Sequence, residues 1–268
     1  MAHDEATQTG SLRDDLPIVT ITVGAGAGRR EIAVRIRAGE GRPVVWLGGF
    51  RSDMRATKAT ALDGWATRRG RPLVRFDYTG HGESGGVFAD AVVSTWVEDA
   101  LAVLERFADD QPVLVGSSMG GWVTCLAVRE RLNQGRSGPA GIVLIAPALD
   151  FTHDLMWEAF PEEVRTEIEQ RGVWYRETAY APEPYPITRA LIEDGQRNRM
   201  LDGPVDPGCP VHILQGMNDP DVPWAHALKT VDRLPAQGTV LTLIKDGDHR
   251  LSRPQDIDLM LRTVDAVA

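Results

Sequence analysis

Apolar and polar positions alternate with a period of two over residues 17 to 23 (PIVTITV) and again over 30 to 38 (REIAVRIRA), which is the spacing of half-buried strands. The GAGAG between them joins the two as an antiparallel hairpin. The rhythm then changes. Short continuous apolar runs at Val44 to Gly48, Leu73 to Tyr78, Val113 to Ser117, Gly141 to Ala146, Val211 to Gly216 and Thr239 to Lys245 read as strands buried on both faces. Helical periodicity fills the intervals at Thr57 to Arg69, Val93 to Ala108, Met119 to Asn133, Val222 to Leu234 and Gln255 to Val267. Strands separated by crossover helices build parallel sheets. The pattern therefore predicts an α/β fold with eight strands, mostly parallel, and helices on both faces.

One interval is too long for a crossover. Between Pro147 and Pro210 the chain carries an amphipathic stretch (Asp154 to Arg171), a proline-rich turn with aromatics (Tyr175, Tyr180, Pro182, Pro184, Tyr185, Pro186) and a second helical stretch from Ile187 to Gln196. This predicts a core made of residues 1–148 and 205–268, with residues 149–204 inserted as a small helical cap over the carboxyl ends of the strands. Gly24, Gly26 and Gly28 follow a strand as in a dinucleotide fingerprint, but their spacing is G-x-G-x-G and the next segment is a strand, so a hairpin loop is the reading.

Composition narrows the class. With 43% hydrophobic and 25% charged residues the chain is that of a soluble folded protein, and its 268 residues suffice for one large α/β unit. A formal charge of −9 repels phosphate backbones, so no nucleic-acid partner is expected. Cys125 and Cys209 form no C-x-x-C pair and no disulfide framework. The polar, acidic start (MAHDEATQTGSLRDD) lacks the pattern of a secretory signal, and no long apolar window predicts a membrane span. The cytoplasm is the expected compartment. Nothing in the pattern bears on oligomeric state.

The chemistry collects at strand ends. PVLVGS runs into Gly116-Ser117-Ser118-Met119-Gly120 and then a helix, which is G-x-S-x-G in the strand-turn-helix setting the motif requires. Ser118 is the candidate nucleophile. Ser117 is excluded because Val115 stands where its register would need glycine. A serine hydroxyl needs a base, normally a histidine oriented by a carboxylate. Among the six histidines, His3, His153, His212 and His226 fall in a tail, the insert, a strand and a helix, whereas His249 lies in a polar loop after the last strand. For the acid, Asp219 at the tip of the strand ending at Gly216 is preferred over Asp221 and over Asp150. The elbow itself supplies one oxyanion donor, the N–H of Met119. His81, beside Asp77 and Glu83, has no second histidine at metal-ligand spacing and reads as a turn residue; no metal and no cofactor are expected. Arg51, Trp157 and Tyr175 are candidates for substrate contact.

The order Ser118, Asp219, His249 and the segments G-S-S-M-G-G-W, G-M-N-D-P-D-V-P-W, G-D-H-R-L-S-R and F-D-Y-T-G-H-G-E-S-G-G resemble the α/β-hydrolase superfamily. They are similar in particular to its mitochondrial acyl-protein thioesterases, which also hydrolyse acyl glucuronides, and to their bacterial relatives. The resemblance covers nearly the whole chain. It implies an α/β-hydrolase fold and a second oxyanion donor at the N–H of Phe50, with Gly-Gly before it where many members carry His-Gly. The expected function is that of a serine esterase or thioesterase acting on a small acyl ester or thioester through an acyl-serine intermediate. An acyltransferase, a peptidase, a perhydrolase or a disarmed ligand-binding protein is the alternative.

Overall fold

Strands β1 (Ile18–Val23) and β2 (Arg30–Arg37) form the opening antiparallel hairpin of a computed structural model that describes residues 16–177 and 183–268. β3 (Val44–Leu47), β4 (Leu73–Phe76), β5 (Val113–Ser117), β6 (Gly141–Ile145), β9 (Val211–Gly216) and β10 (Thr239–Ile244) follow. All eight belong to one sheet in the order β1-β2-β4-β3-β5-β6-β9-β10, parallel from β4 to β10. β3 lies between β4 and β5, so the chain leaves it toward one side and returns on the other. At such a reversal the carboxyl ends of neighbouring strands open a crevice in which ligands bind.

The predicted buried runs divide their side chains between the two faces, as a period of two demands. Val45, Leu47 and Leu114 join a core with Trp96 and Trp122 of helices α2 (Val93–Phe107) and α3 (Met119–Asn133). Val44, Trp46, Val113 and Val115 join a second core with Leu62 and Trp65 of α1 (Thr57–Arg69) and Met260 and Val264 of α7 (Pro254–Val267). Removing each of these side chains from water contributes about 1.5–3 kcal/mol, enough to fix the strand register from both sides. Between β9 and β10 the helix α6 (Trp224–Val231) is shorter than its periodicity predicts, because Asp221, Val222 and Pro223 form a loop.

The insert departs from a purely helical cap. A π-helical turn covers Thr152–Trp157, and α4 spans Glu162–Arg171. Then a two-stranded antiparallel ribbon, β7 (Val173–Arg176) and β8 (Tyr185–Thr188), precedes α5 (Arg189–Arg197). The predicted amphipathic stretch is interrupted because Pro161 has no N–H to continue a helix and instead begins a new one, α4. The ribbon escapes the helical reading because Tyr175 and Pro186 pair across it and β8 alternates buried and half-buried positions with a period of two. Tyr180 and Pro182 of the proline-rich turn lie outside the described residues, as do His3 and the rest of residues 1–15.

Candidate active site

Ser118 occupies the turn between β5 and α3 with φ 53° and ψ −120°, a backbone region that disfavours a side chain. Two glycines make the turn possible by close approach. A Cβ at Gly116 would stand 2.6 Å from the Gly120 oxygen, and one at Gly120 would stand 2.1 Å from the Leu47 oxygen. The strain is held by backbone bonds: Ser118 N–H donates to Ile145 O at 2.9 Å, and Ser118 O accepts from Gly121 and Ala148 at 2.9 and 3.1 Å. The hydroxyl is thereby lifted above the carboxyl ends of the strands. Met119 follows as the first residue of α3, where an N–H has no partner within the helix and the helix dipole is positive.

Two loops bring the partners of that hydroxyl. His249, from the loop between β10 and α7, places Nε2 at 3.2 Å from Ser118 Oγ and Nδ1 at 2.8 Å from Asp219 Oδ2. The Asp219 side chain is fully buried, yet both oxygens are satisfied: Oδ1 accepts from the N–H groups of Asp221 and Val222 at 2.9 and 2.8 Å, and Oδ2 accepts also from Gln215 Nε2 at 3.2 Å. This explains how a carboxylate can sit in a water-excluded place without a cationic partner. Since Nδ1 faces the carboxylate, the ring's proton belongs there, and Nε2 keeps a lone pair toward Ser118. Lys58 of α1 donates its Nζ to the Arg250 carbonyl and so tethers the histidine loop; burial pushes its pKa down to about 8.

Asp150 and Asp221, the other carboxylates weighed from the sequence, are placed otherwise. Asp150 is buried and accepts from the N–H groups of Met200 and Leu201 at 2.8–3.0 Å, tying the end of the insert to the sheet. Asp221 is exposed, and it touches Asp219 through its backbone. The ligand atoms of Asp219, Asp221 and His249 lie within 4.8 Å of one another, a spacing a cation could bridge. In this arrangement the hydrogen bonds to Asp219 and His249 already use the atoms a metal would need.

Two cavities meet at Ser118 and His249. One, of about 570 Å³, runs under the insert and is lined by Phe50, Met119, Phe151, Leu155, Met156 and Tyr185 among others. The other, of about 310 Å³, is polar: Arg51, Ser52, Thr57, Lys58, Arg250 and Ser252 line it with Gly49 and Phe50. Phe50 lies between them, its ring against Phe88, Trp96, Phe151 and Tyr185 with centroids 5.1–5.8 Å apart. Arg51 lies over the Tyr185 ring at 4.9 Å.

Trp157 and Tyr175 are not among the lining residues of either cavity. Trp157 is half-buried against the core, and Tyr175 is 59% exposed. In a strand, residues 174 and 176 share one face and 175 takes the other, so Arg176 reaches the cavity and Tyr175 faces solvent. In the π-helical turn the wider spacing brings Leu155 and Met156 to the cavity in place of Trp157, with Ala159 just beyond the turn. The sequence reading also missed Gln215, a polar residue in an otherwise apolar buried strand, and it read His81 as a turn residue, whereas the structure buries it with Arg75 and Asp77 beneath the loop that carries Phe50.

Comparison with known proteins bears on the family and the fold. The sequence profile of the Alpha/beta hydrolase family matches residues 28–258. The mitochondrial palmitoyl-protein thioesterase ABHD10 of Mus musculus is 34% identical over 223 residues, 83% of this chain and 73% of the relative. Its Homo sapiens counterpart is 30% identical over 235 residues, 87% of this chain and 75% of the relative. Both are named as mitochondrial, in contrast to the cytoplasm expected from the sequence. The crystal structure of an Agrobacterium vitis S4 protein superposes with a TM-score of 0.90 at 50% identity, covering 94% of this chain and 98% of that one. The structure of mouse alpha/beta hydrolase domain-containing protein 10 gives a TM-score of 0.82 at 29% identity, covering 93% and 97%. No described helix is long and apolar enough to cross a membrane. With its sheet order, its serine at the strand-turn-helix elbow and a profile match over most of its length, the chain belongs to the alpha/beta hydrolase family.

Proposed function

We propose that the protein is a serine hydrolase of carboxylic esters or thioesters, with Ser118 as nucleophile, His249 as base and Asp219 as orienting acid. The observation that carries the reading is the position of the His249 ring, hydrogen-bonded at once to Ser118 Oγ and to a fully buried carboxylate. In the forward step Ser118 Oγ gives its proton to His249 Nε2 and bonds to the carbonyl carbon; the Asp219 carboxylate stabilises the imidazolium. The resulting oxyanion points at the N–H groups of Met119 and Phe50, each donor of this kind contributing about 2.7–4 kcal/mol to the transition state. Collapse breaks the bond to the leaving oxygen or sulfur, which takes the proton from His249. Water then enters, gives a proton to His249 and attacks the acyl-Ser118 carbonyl; the acyl–Oγ bond breaks, Ser118 Oγ takes the proton back from His249, and the acid is released. The triad needs no cofactor for these steps.

The 570 Å³ cavity under the insert, with Phe151, Leu155 and Met156 in its wall, takes the acyl group, and the polar cavity takes the leaving group. An acyl thioester falls within this range, as the name of the mouse relative also favours. The test is labelling with a fluorophosphonate together with hydrolysis of ester and thioester series. Ser118→Ala should keep its fold, lose turnover and lose the label. Persistent labelling or turnover in that variant overturns the assignment.

A further inference from the structure

The loop after β3 that carries Phe50 is strained, and its hold on the body of the protein comes from side chains below it. Arg51 has φ 57°, a left-handed conformation for a residue with a side chain. Three residues of β4 and the loop that follows grip this segment. Arg75 Nη1 donates to Met54 O at 2.9 Å, Asp77 Oδ1 accepts from Met54 N–H at 2.6 Å, and His81 Nε2 accepts from Arg51 N–H at 3.0 Å. Only the last acts on the peptide directly after Phe50.

The His81 ring can play one part in that bond. Its Nδ1 lies 3.1 Å from Thr79 O, and a carbonyl only accepts, so the ring proton sits on Nδ1 and Nε2 presents its lone pair to Arg51. The ring is packed edge-on against Tyr78, Phe88 and Trp96, with centroids 5.2–5.9 Å away, so it has no room to turn. Burial, opposed by the bond to Thr79 and assisted by nearby Arg51, pushes its pKa down to about 4, which keeps the required neutral form at ordinary pH. A phenylalanine or tryptophan would fill the same space, and neither could accept a hydrogen bond.

We propose that His81 is a positioning residue of the oxyanion hole: by accepting the Arg51 N–H it holds the strained Phe50–Arg51 turn that aims the Phe50 N–H at the substrate carbonyl. The inference rests on the proposed serine hydrolase, in which Ser118 is the nucleophile and Phe50 an oxyanion donor. A donor displaced by about 1 Å loses much of its effect, since the site gains its advantage from being fixed before the charge develops.

Two conservative variants separate this role from mere packing. In His81→Gln the amide oxygen reaches the place of Nε2 and restores an acceptor for Arg51, while the bond to Thr79 is lost. In His81→Asn the amide reaches only the place of Nδ1, so the Thr79 bond is kept and the Arg51 acceptor is lost. We expect His81→Asn to lower kcat about 100-fold with little change in KM, and His81→Gln to recover about 10-fold of that loss. A trifluoromethyl ketone, whose adduct with Ser118 carries an oxyanion, should weaken in parallel with kcat/KM. Equal turnover of the two variants, or losses that follow melting temperature while the ketone binds as before, overturns the positioning role. Turnover surviving in Ser118→Ala would instead overturn the reading on which the inference stands.

Discussion

Asp219 and Asp150 differ in what their oxygens face, and that difference predicts opposite phenotypes. Asp219→Asn leaves the burial intact but offers His249 Nδ1 an amide that cannot stabilise imidazolium, so kcat should fall by about 10⁴-fold while the melting temperature changes little. Asp150→Asn replaces an acceptor of the Met200 and Leu201 N–H groups with a group that is half donor. It should lower the melting temperature and leave turnover per folded molecule near normal. Steady-state kinetics with thermal melts on both variants check the pair. His81 makes a further prediction through linkage. Its folded pKa, about 4, lies below the ordinary 6.5, so the unfolded chain binds a proton that the folded chain refuses. Stability is therefore full above about pH 6.5 and is lost as pH falls toward about 4. Urea midpoints at pH 7 and pH 5 should differ less in His81→Gln than in the parent; buried His226, whose pKa is also lowered, supplies part of the slope that remains. An unchanged difference would show that His81 is not buried neutral.

At the scale of elements, the insert is fastened to the sheet by a helix end. Asp194 of α5 accepts from Ser94 N–H and Ser94 Oγ, both at 2.8 Å, and so fills an N–H at the start of α2 that has no partner within its helix. Asp194→Ala removes the acceptor of that part-buried N–H, as the loss of a helix cap does, and should cost about 1 kcal/mol. It should also loosen the roof of the cavity. The expected sign is a lowered melting temperature together with a raised KM for long acyl chains, with acetyl esters less affected. Gly120 depends on a neighbouring element in a different way. The Leu47 oxygen of β3 lies where its Cβ would go, so alanine there should prevent the elbow from closing. The strand and helix runs of the body were legible because each buries a periodic face against the sheet. The ribbon β7–β8 was not, since its four-residue strands have partners only in each other and prolines lie within and beside it.

For the molecule as a whole, the proposed acyl site is the 570 Å³ cavity between the sheet and the insert. A lengthening acyl chain gains about 0.8 kcal/mol for each methylene buried until the cavity is full, so medium chains should outrun acetyl. Met156 and Leu155 line that cavity, and Met156→Ala should shift the preference toward longer chains, because it deepens the space without touching Ser118. A chain-length series of thioesters on parent and variant reads this directly; a profile of unchanged shape would remove Met156 from the acyl wall. The sequence by itself determined the mostly parallel α/β sheet and the opening hairpin, and it singled out Ser118, Asp219 and His249 as candidates, because hydrophobic period and strand-end motifs are local properties of the chain. Tertiary structure alone decided that Leu155, Met156 and Tyr185 face the cavity while Trp157 and Tyr175 do not, and that Gln215 and His81 stand behind the site. Those facts depend on the rotation of a π-helical turn, on the face a short ribbon presents and on contacts such as His81 to Arg51, thirty residues apart, which no local pattern encodes.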